Sequence, residues 1–115
     1  MDHLELGYEL IDVGNVTLTD TAVFRQNPMM SVPVFEDAGV WLIESDHITQ
    51  HIARRFDPDN RFRSLNDDPT HLNFRAILNG AMDNEVKLVL SRRMGLEPVG
   101  LAYFDKARAA LDNAL

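Results

Sequence analysis

The sequence contains no cysteine in its 115 residues. Without a thiol, the chain can form no disulfide framework, bind no zinc through cysteine and offer no thiolate nucleophile. Disulfides occur mainly in secreted proteins, so their absence is consistent with a reducing compartment. We therefore expect a cytoplasmic protein.

Positive charge is also scarce. The chain has 11 Lys and Arg residues against 18 Asp and Glu residues, and its formal net charge is −7 at pH 7. Binding to nucleic acid requires clustered basic residues that neutralise phosphates, whereas the basic residues here are scattered or paired with acids. We expect no nucleic-acid partner.

Long apolar runs are missing as well. Runs such as Val40–Ile43 extend over a handful of residues, whereas a helix needs about 20 to span a bilayer. The first residues lack the basic and apolar regions of a secretion signal. We expect no membrane partner. The remaining composition, 45% hydrophobic and 25% charged residues, is typical of one globular domain or two very small ones.

The first half of the chain predicts a strand, a short helix and a β-hairpin. A run of β-forming residues ends at residues that are typical of turns. The next stretch predicts a short helix, which must end before a proline. Two short β-type runs then flank a loop of hairpin length. In chain order these are a strand at 8–13, a helix at 17–26, and strands at 32–36 and 40–44.

The second half of the chain predicts three helices. Ser45 precedes a helical pattern and is a good N-cap, and the helix that it starts must stop before Pro58. Asp68 and Pro69 suit the N-cap and first position of a long helix that reaches about Met94. The residues expected to face a core are Ile48, Ile52 and Phe56 in the first helix, Leu78, Ala81, Met82, Val89 and Leu90 in the second, and Phe104, Ala107, Leu111 and Leu115 in the third.

The segment 27–48 resembles the glutathione-site half of the glutathione transferase (GST) family. The family pattern runs Asn-Pro, a short spacer, Val-Pro-Val-Leu, an acidic hairpin, then Glu-Ser and a helix, and residues 27–48 follow this order. The resemblance covers in effect the whole chain. It implies an α+β, mostly α fold: a partial thioredoxin-like βαββα unit followed by two helices of a GST-type all-α domain. The implied domains are 1–56 (partial thioredoxin-like, glutathione site), 57–68 (linker) and 69–115 (partial all-α).

The resemblance implies glutathione binding by Val32, Pro33, Glu44 and Ser45. A cis proline at Pro33 would leave the Val32 N–H and C=O free to pair with an extended peptide. Ser45 at a helix start suits a carboxylate, and Glu44 beside it could pair with an amino group. These groups fit the γ-glutamyl end and body of glutathione. Glutathione is the implied ligand or substrate, and no separate cofactor is implied.

The sequence departs from the family pattern in two places. Met30 and Ser31 stand where the family usually has glycine and lysine, so a cation for the glycyl carboxylate is missing. The family's activating Ser, Tyr or Cys follows a first strand, and this strand and most of the first helix have no counterpart here. GSTs stabilise the glutathione thiolate, so we assign no catalytic residue and expect weak or absent transferase activity.

The chain thus resembles an N- and C-terminally truncated member of the family. Loss of the first strand would leave an open edge on the hairpin, and the last helix presents Leu111 and Leu115 without a partner. Open edges and apolar faces favour association with another chain. We expect a homo-oligomer, most simply a dimer.

Other interpretations stay open. The chain could be a non-catalytic protein-interaction module or a truncated gene product of GST-like fold. Locally, Ser45 could simply cap a helix and Glu44 end a strand. His47 and His51 have the i, i+4 spacing of zinc ligands, but no third ligand is evident. We interpret them as a solvent-facing pair and expect no metal.

Overall fold

The structure of the protein is a computed structural model that describes residues 4–114. It divides the chain into two compact units, one reaching Leu65 and the other starting at Asn66. The described residues form a small α+β protein with one two-stranded antiparallel sheet and three helices. The elements are β1 (Val34–Asp37), β2 (Val40–Ile43) and α1 (Ser45–Phe56) in the first unit, and α2 (Pro69–Arg93) and α3 (Ala102–Ala114) in the second.

The predicted hairpin is confirmed with slightly different bounds. Its turn residues Ala38 and Gly39 have φ angles of 45° and 82°, and positive φ at both central positions is typical of the tight turn that matches strand twist. The antiparallel ladder runs from the Asp37–Val40 pair at the turn to the Val34–Ile43 pair at the open end. The turn therefore fixes which residues of the two strands face each other.

The predicted strand at 8–13 is wrong. This segment has no regular secondary structure, and its Leu10 side chain is 84% exposed. A run of β-forming residues becomes a strand only when a neighbour pairs with its backbone, and the sheet within residues 4–114 consists of β1 and β2 alone. The first unit therefore contains the ββα part of the predicted βαββα order.

The predicted helix at 17–26 is also wrong, because the chain forms consecutive turns there instead. The Phe24 N–H donates to the Thr21 carbonyl at 3.1 Å, and the Gln26 N–H donates to the same carbonyl at 2.8 Å. Arg25 and Gln26 have positive φ angles of 54° and 64°, which stop any helical continuation. A stretch this short seldom offsets the cost of helix nucleation. The turns nevertheless bury the Phe24 side chain completely.

The core of the first unit combines apolar and polar groups. The apolar residues Phe24 and Ala53, the latter in α1, are buried, and so are the polar residues Asn27 and Asp57. The Asp57 carboxylate accepts the Arg61 N–H at 3.1 Å and the neighbouring Phe62 N–H at 3.2 Å. Burial acts to raise the pKa of Asp57, but these hydrogen bonds and the Arg61 side chain outweigh it, so the pKa lies below its usual value. The start of the segment predicted as a linker is thus packed onto the first unit.

The second unit is a pair of helices, and its first helix begins as predicted. The Asp68 carboxylate accepts the His71 N–H at 3.0 Å, and Pro69 occupies the first turn. In α3, Phe104 and Leu111 are partly buried and Ala107 is buried, as expected, while Leu115 lies outside the described residues. None of the helices described between residues 4 and 114 is both long and apolar enough to cross a membrane.

The predicted apolar stripe of α2 is wrong over part of its length. Leu78 and Met82 are 47% and 66% exposed, whereas Leu88 and Ser91 are buried. The reason is length, because α2 has 25 residues and α3 has 13. At about 1.5 Å per residue, α3 can cover roughly half of α2. An apolar part of α2 therefore stays exposed.

We predict that Phe24→Ala lowers the free energy of unfolding of the first unit by about 3–5 kcal/mol, because it removes a fully buried aromatic ring. Phe62→Ala is the matched control in the same unit, since Phe62 is 48% exposed, and should cost under about 1 kcal/mol. Urea denaturation followed by circular dichroism measures both. Equal losses for the two variants would contradict the assignment of Phe24 to the core.

Candidate functional site

The four residues assigned to glutathione binding lie together at the open end of the hairpin. The last pair of the ladder at this end is Val34 of β1 with Ile43 of β2. Pro33 directly precedes Val34 and Glu44 directly follows Ile43, and Val32 and Ser45 are each one residue further from this pair. All four are exposed. The hairpin thus brings together the chain segments around Pro33 and Glu44, which are 11 positions apart in the sequence.

The Val32 backbone is available to a ligand. Val32 is 49% exposed, and its peptide bond to Pro33 is cis. Within residues 4–114, no hydrogen bond involves the Val32 N–H or C=O. A backbone N–H and C=O without internal hydrogen bonds can bind the main chain of an extended peptide in the manner of an added strand.

The segment that leads to Val32 is organised by Asn27, which is completely buried. Its side-chain Nδ2 donates to the Ser31 carbonyl at 2.9 Å and to the Ser31 Oγ at 3.1 Å. Its Oδ1 accepts the Met29 N–H at 3.0 Å, and its own carbonyl accepts the Met30 N–H at 2.9 Å. One residue, through its side chain and its carbonyl, therefore holds the loop from 27 to 31.

Glu44 joins β2 to α1 in a strained conformation. Its φ and ψ are 76° and 122°, and it occupies the N-cap position without a side-chain cap. The prediction that Ser45 is the N-cap is wrong, because Ser45 is the first helical residue. Positive φ outside the usual left-handed region costs a non-glycine residue about 1–3 kcal/mol. The sharp turn places Glu44 and Ser45 at the end of the hairpin and at the positive end of the helix dipole.

The outer part of the hairpin is anchored to the preceding turns. Arg25 donates two hydrogen bonds to the Glu36 carboxylate, from Nε at 3.0 Å and from Nη2 at 2.8 Å. The Trp41 indole Nε1 donates to the Arg25 carbonyl at 3.2 Å. The hydrogen bond from Arg25 holds the pKa of Glu36 below its usual value. Both strands are thus tied to one residue of the turn region.

The hairpin is also anchored to α1. The Asp37 carboxylate accepts a hydrogen bond from Arg55, and His51 Nε2 lies 3.8 Å from the same carboxylate. The Phe35 and His51 rings contact with centroids 5.7 Å apart. The interpretation of the two histidines as a solvent-facing pair is wrong for His51, whose Nε2 is buried, whereas His47 is exposed. No group of three metal ligands exists in the described residues.

Two concavities in the first unit lie away from the four residues. One is lined by residues 36–41 at the hairpin turn, and the other by residues of the α1 face and of the segment that follows α1. A ligand at the open end would therefore lie outside these two concavities. This surface offers a backbone donor and acceptor, a carboxylate, a hydroxyl and a helix N-terminus.

Sequence reasoning missed the structural role of Asn27 and the conformation of Glu44. The sequence predicts that the helix at 17–26 ends before Asn27, although an asparagine that precedes proline is also typical of turns. The strain at Glu44 has no sequence signal, because glutamate is uncommon at positive φ.

No protein-family model, curated protein or solved structure matches the chain.

The Arg25–Glu36 pair predicts a pH effect. The pKa of Glu36 is lowered in the folded state from 4.5, so its contribution to stability is present above about pH 4.5 and is lost as pH falls through the folded-state pKa. Glu36→Gln and Arg25→Gln should both make the acid loss of stability shallower than in the wild type. Thermal unfolding between pH 7 and pH 3 measures this. An unchanged acid profile in both variants would refute the assignment.

Proposed function

We propose that the chain is a GST-like protein that binds glutathione at the open end of its hairpin, in the cytoplasm, with weak or absent transferase activity. The observation that supports this proposal is the common location of the free Val32 backbone, Glu44 and Ser45. All three are exposed and flank the Val34–Ile43 pair at the open end of the hairpin, where α1 begins.

The chemistry of the ligand matches this arrangement group by group. The γ-glutamyl end of glutathione carries an ammonium and a carboxylate, and the rest of the molecule is an extended peptide. The Glu44 carboxylate suits the ammonium, while the Ser45 hydroxyl and the first N–H groups of α1 suit the carboxylate. The Val32 N–H and C=O suit the peptide. Pro33 follows directly and removes a competing backbone donor.

The strain at Glu44 supports a functional role for this corner. A glycine would adopt positive φ more readily, yet the chain has a glutamate there. Residues held in such conformations cluster at ligand sites, where the surrounding structure compensates for the cost. Here the conformation keeps the Glu44 side chain beside the first turn of α1.

The expectation of weak or absent transferase activity follows from the chemistry of these residues. The hydroxyl of Ser45 is assigned to a carboxylate of the ligand, and none of the four residues is assigned to the sulfur. Activation of the thiol requires a donor close to that atom. Met30 and Ser31 offer no cation to the glycyl carboxylate, which lowers the affinity further.

We predict that glutathione binds to the wild-type protein and that Glu44→Gln weakens this binding about tenfold, because it removes a charge-assisted hydrogen bond. Glu85→Gln, an exposed glutamate in the second unit, is the matched control and should leave the affinity unchanged. Isothermal titration calorimetry measures the dissociation constants. A conjugation assay with a chlorodinitrobenzene-type acceptor should show little or no turnover.

Two outcomes would contradict the proposal. One is the absence of binding heat at millimolar glutathione. The other is equal affinity in the wild type and Glu44→Gln, which would place the ligand elsewhere.

A second candidate function is self-association through α2. Phe74, Leu78, Met82 and Val86 recur every four residues on one side of the helix, and each is 47–66% exposed. Rows of this spacing form the ridges that pack helices together. When two copies of this row run antiparallel, Phe74 meets Val86 and Leu78 meets Met82, so the surface complements itself as a two-fold interface requires. This symmetry favours a second copy of the chain as the occupant, and we propose a homodimer.

We predict that the wild type sediments as a dimer at micromolar concentration and that Leu78→Glu shifts it to monomer, because the substitution buries a charge in the apolar row. Leu96→Glu is the control, since Leu96 is 54% exposed in the same unit but lies beyond α2. It should leave the dimer intact. A monomeric wild type in sedimentation velocity would refute the proposal. Self-association without glutathione binding would favour the protein-interaction module.

A further inference from the structure

The loop before the proposed glutathione site contains a polar side chain with an unusual environment. Asn27 is fully buried, and every polar group of its side chain and backbone has a partner. Burial of an amide is favourable only when its hydrogen bonds are made, so this residue is committed to one loop conformation. Apart from Phe24, its partners all belong to the loop that ends at Ser31.

The contact with Ser31 has a geometric consequence for Val32. The Ser31 carbonyl and the Val32 N–H belong to the same peptide group, which is planar and trans. In a trans peptide the C=O and N–H bonds point in opposite directions. Because the Ser31 carbonyl accepts from the buried Asn27 Nδ2 at 2.9 Å, the Val32 N–H must point away from Asn27.

We propose that Asn27 is the positioning residue that aims the Val32 N–H at the peptide backbone of the bound ligand. This proposal rests on glutathione binding at the open end of the hairpin and adds a residue that does not itself touch the ligand. The contact that matters is the one between Asn27 and the Ser31 carbonyl. The second contact, to the Ser31 hydroxyl at 3.1 Å, also holds the loop but does not fix the plane of the peptide group between Ser31 and Val32.

The first test compares three variants by glutathione affinity, measured at temperatures where each is folded. Asn27→Ala should weaken binding about tenfold, the amount that one lost backbone hydrogen bond represents. Ser31→Ala keeps the carbonyl contact and should bind within twofold of the wild type. Asp57→Asn is the control for general destabilisation, because Asp57 is also a buried polar residue that organises a loop of the first unit. It should also bind within twofold.

Asn27→Ala with wild-type affinity would overturn the proposal, and so would an equal loss of affinity in Asp57→Asn. If Asn27→Ala does not fold, Asn27→Ser replaces it, since a serine hydroxyl is too short to reach the Ser31 carbonyl from the same position. Asn27→Ser should show the same tenfold loss, and wild-type affinity would overturn the proposal in the same way.

A second test needs neither a variant nor glutathione, so it separates this proposal from the proposed function. In wild-type protein without ligand, amide hydrogen exchange should be fast at Val32 and at least about tenfold slower at Met29 and Met30, whose N–H groups bond to Asn27. Protection of the Val32 N–H would overturn the assignment of Asn27. If this exchange pattern is observed but glutathione does not bind, glutathione is refuted as the ligand, while the orientation of the Val32 N–H by Asn27 stands.

Discussion

The register of the β1–β2 hairpin is the constraint on which the site depends. The two turn residues, both at positive φ, set the pairing that runs from Asp37–Val40 to Val34–Ile43. Strand side chains alternate between faces, so a slip of one residue would exchange every inward and outward position. The same slip would change which residues flank the open end of the hairpin. A short turn at one end thus defines the proposed binding surface at the other.

A two-stranded hairpin is marginal in isolation, and its neighbours stabilise this register. Arg25 holds Glu36 of β1 and accepts from Trp41 of β2, so it contacts both strands from one side. Asp37 and its partner Arg55 connect the hairpin to α1. The strained Glu44 then sets the direction in which α1 leaves the sheet. The position of the two strands and the position of the start of α1 are therefore fixed by separate contacts.

The sequence predicted well those elements that are specified by local chemistry. The hairpin followed from its loop composition, and the start of α2 followed from Asp68 and Pro69, since caps and turns act within a few residues. Predictions that needed a distant partner failed. Residues 8–13 have β-forming composition but no strand partner within the described chain, and Leu78 and Met82 of the α2 stripe are exposed.

The candidate site shows the same division. The family resemblance predicts Val32, Pro33, Glu44 and Ser45, and these residues flank the Val34–Ile43 pair that ends the hairpin ladder. The buried network of Asn27 and the φ angle of Glu44 could not be predicted, because each depends on how the chain closes around the residue. These two features distinguish an organised surface from a row of exposed side chains.

The most direct test of the central claim is a titration of 15N-labelled protein with glutathione, followed by amide chemical shifts. The account predicts that the largest changes occur at the amides of Val32, Glu44 and Ser45. It predicts small changes at Ala38 and Gly39, which belong to the concavity at the opposite end of the same hairpin. Changes centred on residues 36–41, or no changes in the first unit at saturating glutathione, would contradict it.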